Sequence, residues 1–387
     1  MDIILLILLS LSLTYWSATL IAVVVSLIKI KSLPVSTIKD PQLYPMVSII
    51  IPVCNEIDTF EPAFNSLTNL DYPKVEFIIV DDRSTDGTSA LIDRIAARDN
   101  RVRVIHIEKL PEGWLGKVHA LKIGAENTKG EFMLFTDADI HFSTTIIKKA
   151  ISQCINEKID FLTLIPKFEN VNILLDTAIS FMIRAIFAGN RVWETNDPRS
   201  KHAVGFGPFI LVNKETFQKS RGFEWMKMDI CDDLAFGLLM KQAGARGKAM
   251  VATSDVSLTY SRSFYDYAKS TEKTGLAYTG RFSIFKAVFV SLLAMILEFI
   301  PFVALLFVHR PLALILSIIS IFIMISSLIL MSIWVKRPLL SCLLSPLGIT
   351  INSIFIMRSA WLGARNKGVY WRGTFYPIEE LRKGQRI

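Results

Sequence analysis

The chain has 387 residues, is 51% hydrophobic with a mean hydropathy of +0.42, and carries a formal charge of +8. That is more apolar than a soluble protein of this size needs for its core, so a wholly soluble protein is excluded and a membrane component is implied. Much of the charge lies from Arg358 onward, where seven basic residues face only Glu379 and Glu380; beside a membrane segment this reads as a surface for anionic headgroups rather than for nucleic acid.

In chain order, residues 3–28 form an uninterrupted uncharged run, long enough to span a bilayer with some tilt, so 1–30 reads as a transmembrane helix. Asp2 stands where a signal peptide would carry basic residues, and the run exceeds the usual apolar core of one. Lys29, Lys31 and Lys39 follow it, which places the N-terminus outside and the rest in the cytoplasm of a multi-pass cell-membrane protein. A Pro-containing linker, 31–46, leads out of the membrane. From Val47, apolar runs alternate with helical stretches (47–53, 75–80, 102–107 and 132–136 as strands), the pattern of βαβ crossovers and a mostly parallel sheet. The fold class is α/β, with a domain at 47–283 inserted between N-terminal and C-terminal membrane helices. Residues 171–189 are apolar but contain Asp176 and Arg184, which favours a helix lying at the bilayer surface over a span. Residues 284–357 return to the membrane: 287–308 and 312–335 can each span, while 339–357 reads as a re-entrant or interfacial segment, followed by a basic cytoplasmic tail at 358–387. The four cysteines, Cys54, Cys154, Cys231 and Cys342, are far apart and read as reduced thiols.

Chemistry concentrates at strand ends. The run 132–136 breaks into Asp137-Ala-Asp139; alternate residues point the same way, so both carboxylates can aim at one hard cation, Mg2+ or Mn2+. Asn55-Glu56 and Asp81-Asp82 end two other strands, and residues 111–117 form a Gly-containing loop ending in Lys117, a point charge suited to phosphate. Asp232-Asp233 opens a helix, where either an N-cap or a general base fits. His119 and His141 read as polar helix or loop residues, with His141 close enough to Asp139 in sequence to complete a metal sphere.

The segments 47–56, 80–87, 136–139 and 232–233 resemble the ordered motifs of family 2 glycosyltransferases with the GT-A fold. The blocks 113–121 and 370–374 resemble the membrane-bound subgroup that includes 4,4'-diaponeurosporenoate and hopanoid-associated glycosyltransferases and, more distantly, ceramide glucosyltransferase. The resemblance implies an inverting enzyme moving one hexose from a UDP-sugar to a lipid acceptor, with Mg2+ or Mn2+ as cofactor. Asp233 would be the catalytic base. Pro52, Glu56, Asp81, Asp82, Lys117, Asp137 and Asp232 would hold the nucleotide-sugar, Asp139 and Asp137 (with His141 a weaker candidate) the metal, and Trp371, Arg372 and Arg281 the diphosphate. The Gln/Arg-x-x-Arg-Trp motif of polymerising members is absent; Tyr278-Thr-Gly-Arg281-Phe282 keeps only the arginine. A short-chain polysaccharide synthase and a catalytically silent membrane scaffold are the alternatives.

Overall fold

The computed structural model describes residues 2–35, 44–307 and 310–386, so half of the expected 31–46 linker, residues 36–43, lies outside the described residues. Helix α1 (Asp2–Lys29) precedes an alternating series: β1 (Val47–Val53), α2 (Phe60–Thr68), β2 (Val75–Asp82), α3 (Thr88–Ala96), β3 (Val102–Ile107), α4 (Gly116–Glu126) and β4 (Phe132–Phe135). Next come β5 (His141–Phe142), α5 (Ile146–Glu157), β6 (Phe161–Ile165), β7 (Lys167–Phe168), α6 (Ile173–Gly189), β8 (Ile210–Asn213), α7 (Lys214–Gln218), α8 (Asp232–Gln242), β9 (Gly247–Val251) and β10 (Val256–Leu258).

Seven strands form the main sheet in the order β3-β2-β1-β4-β8-β6-β9, and β5, β10 and β7 form a small second one. The four expected strands are all present and run parallel, with Val47 opposite both Val75 and Phe132. Strand β8 runs antiparallel to β4 and β6, the departure that makes the sheet mostly rather than wholly parallel. The continuous apolar character of β1 and β2 follows from burial on both faces. Ile49 and Ile51 pack with Phe64 and Phe77 on one side, and Ile50 packs with Val118 and Phe135 on the other. The chain builds outward from β1 to β3 and then crosses back to place β4 on the other flank of β1. The reversal opens a crevice at the carboxyl ends of β1, β2 and β4.

The remaining helices are α9 (Phe264–Gly280), α10 (Ile284–Ala304), α11 (Pro311–Val335), α12 (Leu339–Leu343) and α13 (Ser345–Asn366). Four helices, Ile3–Lys29, Ile284–Ala304, Pro311–Val335 and Ser345–Asn366, are long and apolar enough to cross a membrane. Helix α6 packs against α1, α12 and α13, and both of its charges are neutralised there. Asp176 meets Arg337 at 2.9 Å, and Arg184 pairs with Glu298 of α10, which also accepts bonds from Tyr15 (3.3 Å) and Ser345 (2.9 Å). The stretch 339–357 is broken at Leu344 into α12 and α13. The tail is more ordered than a loose basic segment: β11 (Gly368–Trp371) and β12 (Thr374–Pro377) form a hairpin, and α14 (Ile378–Gly384) docks on the α/β domain with Leu381 fully buried. Its basic side chains are engaged with protein, Arg382 donating to the Phe282 carbonyl (2.8 Å) and Arg386 to that of Trp225 (2.6 Å), which leaves fewer of them for headgroups than the sequence implied.

Candidate active site

The loop after β1 is pinned to the loop after β2. The Glu56 N–H donates to Thr88 Oγ1 (2.9 Å), and Asn55, at φ +54°, accepts from the Thr85 N–H (2.7 Å). Asp81 and Asp82, the last residues of β2, are both buried. Burial alone would raise the Asp81 carboxyl, but donors from Ser84 (3.2 Å), Ser89 (2.6 Å) and His106 (2.9 Å) outweigh it and hold the group below the usual range. Arg83 folds back on Asp82 as a fork, at 2.7 and 3.1 Å.

The bonds of His106 to Asp81 and Asp93 raise its pKa above the ordinary value of about 6.5. A raised folded-state pKa means that the stabilisation is complete below about pH 6.5 and is lost as pH rises through the folded value. Thermal unfolding scans should therefore show Tm falling as pH rises above about 6.5, and His106→Gln should flatten that slope. The effect is small because the imidazole is partly exposed. A wild-type slope unchanged in the variant would refute the assignment.

Across the crevice, Lys117 at the start of α4 donates to Asp137 (2.7 Å) and Asp232 (3.0 Å). Burial works to lower the Lys117 pKa, but the two carboxylates overcome it and keep the ammonium charged. Asp233, beside Asp232 at the start of α8, accepts from the Leu234 N–H (2.8 Å) and more distantly from the Gly207 N–H (3.4 Å). The N-cap position belongs to Cys231, whose side chain caps nothing, so the acidic pair is not there to cap the helix. Burial, reinforced by Asp232, pushes the Asp233 carboxyl up. Gly207 is required between the facing carboxylates, because a Cβ there would stand 2.9 Å from Asp137 Oδ2 and 3.8 Å from the Asp233 Cβ.

The hairpin of the tail closes the side of the cleft. Its turn residues, Arg372 (φ +46°) and Gly373 (φ +78°), have the two left-handed conformations that tight hairpins favour. Tyr376 Oη accepts from the Gly116 N–H (3.2 Å), Arg83 donates to Thr374 Oγ1 (3.3 Å), and Arg372 pairs with Glu56. The enclosed cleft has a volume of about 280 Å3.

Most residues singled out in the sequence meet here. Pro52, Glu56, Asp82, Lys117, Asp137, Asp139, Trp371 and Arg372 line the cleft; Asp81 lies beneath it, and Asp232 and Asp233 border it beside Lys117 and Asp137. Two residues are not brought in. His141 is exposed on β5, opposite Ser257, and Arg281 lines a different cavity at the end of α9. The cation that does reach in from α9 is Lys273, 4.3 Å from the Trp371 ring centroid, with its pKa lowered by burial against the pull of Asp232. Lys273 precedes Arg281 by roughly 12 Å of helix, and its only sequence signal was its place in the stretch just before the membrane. Tyr260, Ser270 and Tyr376 also line the cleft and carried no motif.

Among the described residues no cluster of three or more His, Cys, Asp or Glu side chains could hold a metal ion. Asp139 and Asp137 nevertheless fit Mg2+ or Mn2+ shared with a bound diphosphate, since such ions are commonly held by one or two carboxylates plus phosphate oxygens. Burial, with the charges of Asp137 and Glu56, pushes the Asp139 carboxyl up to about 6, so that pocket is short of positive charge.

Residues 48–218 match the sequence model described as Glycosyl transferase family 2. The 4,4'-diaponeurosporenoate glycosyltransferase of Staphylococcus haemolyticus is 24% identical over 49% of this chain and 50% of its own length. The GalNAc(5)-diNAcBac-PP-undecaprenol beta-1,3-glucosyltransferase of Campylobacter jejuni is 30% identical over 24% of this chain and 30% of its own. The chain thus spans half or less of the length of these curated relatives. Among solved structures, the mannosyltransferase PcManGT from Pyrobaculum calidifontis, in complex with GDP-Man and Mn2+, aligns with a TM-score of 0.53 over 90% of this chain and 98% of its own at 16% identity, a likeness of fold. Residues 48–218 of this chain are therefore a family 2 glycosyltransferase domain on a GT-A-like fold, flanked on both sides by helices long and apolar enough for a membrane.

Proposed function

We propose that the chain transfers a single hexose from a UDP-sugar to a membrane lipid, with inversion, at the cytoplasmic face of the membrane. The observation that carries this reading is the meeting, in one cleft, of the acidic ends of β1, β2 and β4 with Lys117 and with Asp233, directly beside the apolar helices. Asp81 and Asp82 receive the base, Asp137 the ribose or metal, and Lys117, Lys273 and Arg372 balance the diphosphate charge. Asp139 and Asp137 would hold Mg2+ or Mn2+, which would supply further neutralisation of the departing UDP. Asp233 takes the proton of the acceptor hydroxyl as the oxygen attacks the anomeric carbon in line with the leaving UDP, and a single displacement inverts that centre.

The membrane layout supports the same reading. The chain leaves the catalytic domain at α10, and the hairpin at Gly368–Pro377 returns to its cleft, so the intervening helices cross an even number of times. Spans by α10 and α11, with α12 and α13 re-entrant, satisfy this, and the basic residues Lys29 and Lys31 after α1 support a cytoplasmic shared side.

UDP with Mn2+ should raise the Tm of the purified chain, and more than GDP with Mn2+. A ligand that binds only the folded state at about 100 times its Kd contributes about 2.7 kcal/mol. An unchanged Tm with UDP, or a rise at least as large with GDP, would contradict the donor assignment.

A further inference from the structure

A second cavity, of about 580 Å3, lies between α1, α6, α9, α10 and α13. Its lining divides by polarity. Ala18, Phe181, Ala294 and Ile349 make an apolar channel, whereas Asn190, Tyr278 and Arg281 gather at the end nearer the catalytic domain. Arg281 is the one charged residue among the described lining residues, and its guanidinium has no hydrogen-bond or ion-pair partner among the described residues. On the α10 wall, the buried Ser291 hydroxyl has no hydrogen-bond partner among the described residues, which in an apolar wall is costly unless a ligand satisfies it.

The cavity adjoins the donor site through α9. That helix presents Ser270 and Lys273 to the cleft and Tyr278 and Arg281 to the cavity. Lys273 and Tyr278 are separated by about 8 Å of helix. Tyr278 Oη accepts from the Asn190 amide N–H at 2.6 Å, and burial pushes its phenol up. Tyr278 also packs against the cluster that holds Cys231 and Leu234, the residues on either side of the Asp232-Asp233 pair, so a polar ligand group held at Asn190 and Tyr278 stands close to Asp233.

We propose that this cavity is the acceptor site, and that it takes an anionic lipid: the apolar chain lies along α1 and α10, the anionic group pairs with Arg281, and the acceptor hydroxyl is delivered past Tyr278 to Asp233. The assignment rests on the transferase reading above and adds the location and charge of the acceptor. A phosphate on a glycerolipid and a carboxylate on a fatty-acid-like lipid offer the same chemistry to Arg281.

The test uses the full chain in lipid nanodiscs with three photoreactive diazirine probes: phosphatidylglycerol, a long-chain hydroxy fatty acid, and diacylglycerol as the control that has a hydroxyl but no anionic group. At least one anionic probe should label peptides carrying Ala294 or Ile349 about tenfold above diacylglycerol, the worth of one charge-assisted contact of about 1.4 kcal/mol, and the stronger of the two identifies the source of the anion. Arg281→Gln should remove the preference and Arg281→Lys restore most of it. Ala294→Phe, which fills the channel, should lose both labelling and sugar transfer into lipid while keeping the nucleotide-induced rise in Tm; that retained rise shows the variant is folded. Equal labelling by all three probes, or full transfer by Ala294→Phe, would overturn the proposal. Labelling as expected with no transfer by the wild type would instead sink the transferase reading and, with it, the acceptor role, leaving only lipid binding.

Discussion

Asp233→Asn should lower kcat for sugar transfer by about 10²–10⁴-fold, the usual contribution of a positioned general base, while the nucleotide still stabilises the fold. The substitution is nearly isosteric, and the stronger of the two bonds to the carboxylate, from the Leu234 N–H at 2.8 Å, survives on the amide oxygen. The contact that fails is the long one from the Gly207 N–H at 3.4 Å, which an amide nitrogen cannot accept. The chemical loss is specific, because burial and Asp232 push the Asp233 pKa toward the working pH, where a base transfers protons most effectively. Steady-state kinetics separate the effects: kcat should fall with little change in the donor KM. Turnover within a few-fold of wild type would show that another group takes the proton. Lys117 makes the complementary point, since its ammonium touches Asp137 and Asp232 and not Asp233, so the proposed base keeps its lone pair available.

The second large effect concerns the helices that carry the domain. Arg184→Met or Glu298→Leu alone should destabilise the chain by about 3–5 kcal/mol, because each leaves its former partner as a buried uncompensated charge. Both side chains are almost wholly inaccessible (3% and 0%). Arg184 also bonds Tyr15 (3.0 Å) and Ser345 (3.1 Å), so the pair ties α6 and α10 to α1 and to the start of α13. The double variant should recover most of the loss, short of full recovery because the hydroxyls of Tyr15 and Ser345 lose an acceptor. Thermal unfolding of the purified chain in detergent, followed by tryptophan fluorescence, reads all three variants on one scale. A double variant as unstable as the sum of the singles would show that the charges act independently.

Much of this architecture was legible in the sequence for reasons that can be named. Parallel strands buried on both faces must be apolar throughout, so 47–53, 75–80, 102–107 and 132–136 stood out, and strand ends in such sheets collect polar groups at the crevice, which made Asp82 and Asp137 visible. Nothing local announces that strand β8 runs antiparallel. Residues recruited from far along the chain were harder to see. Lys273 is one lysine in a polar helix, and its role follows only from the packing of α9 against the cleft. Arg281 was favoured on sequence position, yet helical geometry carries it to the other cavity. The tail misled in part, because basic residues beside a membrane read as headgroup contacts, while Arg372, Arg382 and Arg386 spend their charge on Glu56 and on backbone carbonyls. His141 sits close to Asp139 in sequence but on a strand whose side chain faces away from the cleft. Within α6, Asp176 and Arg184 stood out as charges in an apolar run, but their partners, Arg337 and Glu298, lie too far along the chain for sequence spacing to pair them.

The central claim is that the cleft and the neighbouring helices together put one sugar on a lipid. The most direct measurement incubates the purified chain in nanodiscs with a panel of labelled UDP-hexoses, a cellular lipid extract and Mn2+, followed by mass analysis of the labelled products. The account predicts one UDP-hexose that yields a lipid heavier by a single hexose, with no product in Asp233→Asn. Label recovered only as longer oligosaccharides, or no labelled lipid from any donor in the presence of intact, nucleotide-binding protein, would contradict it.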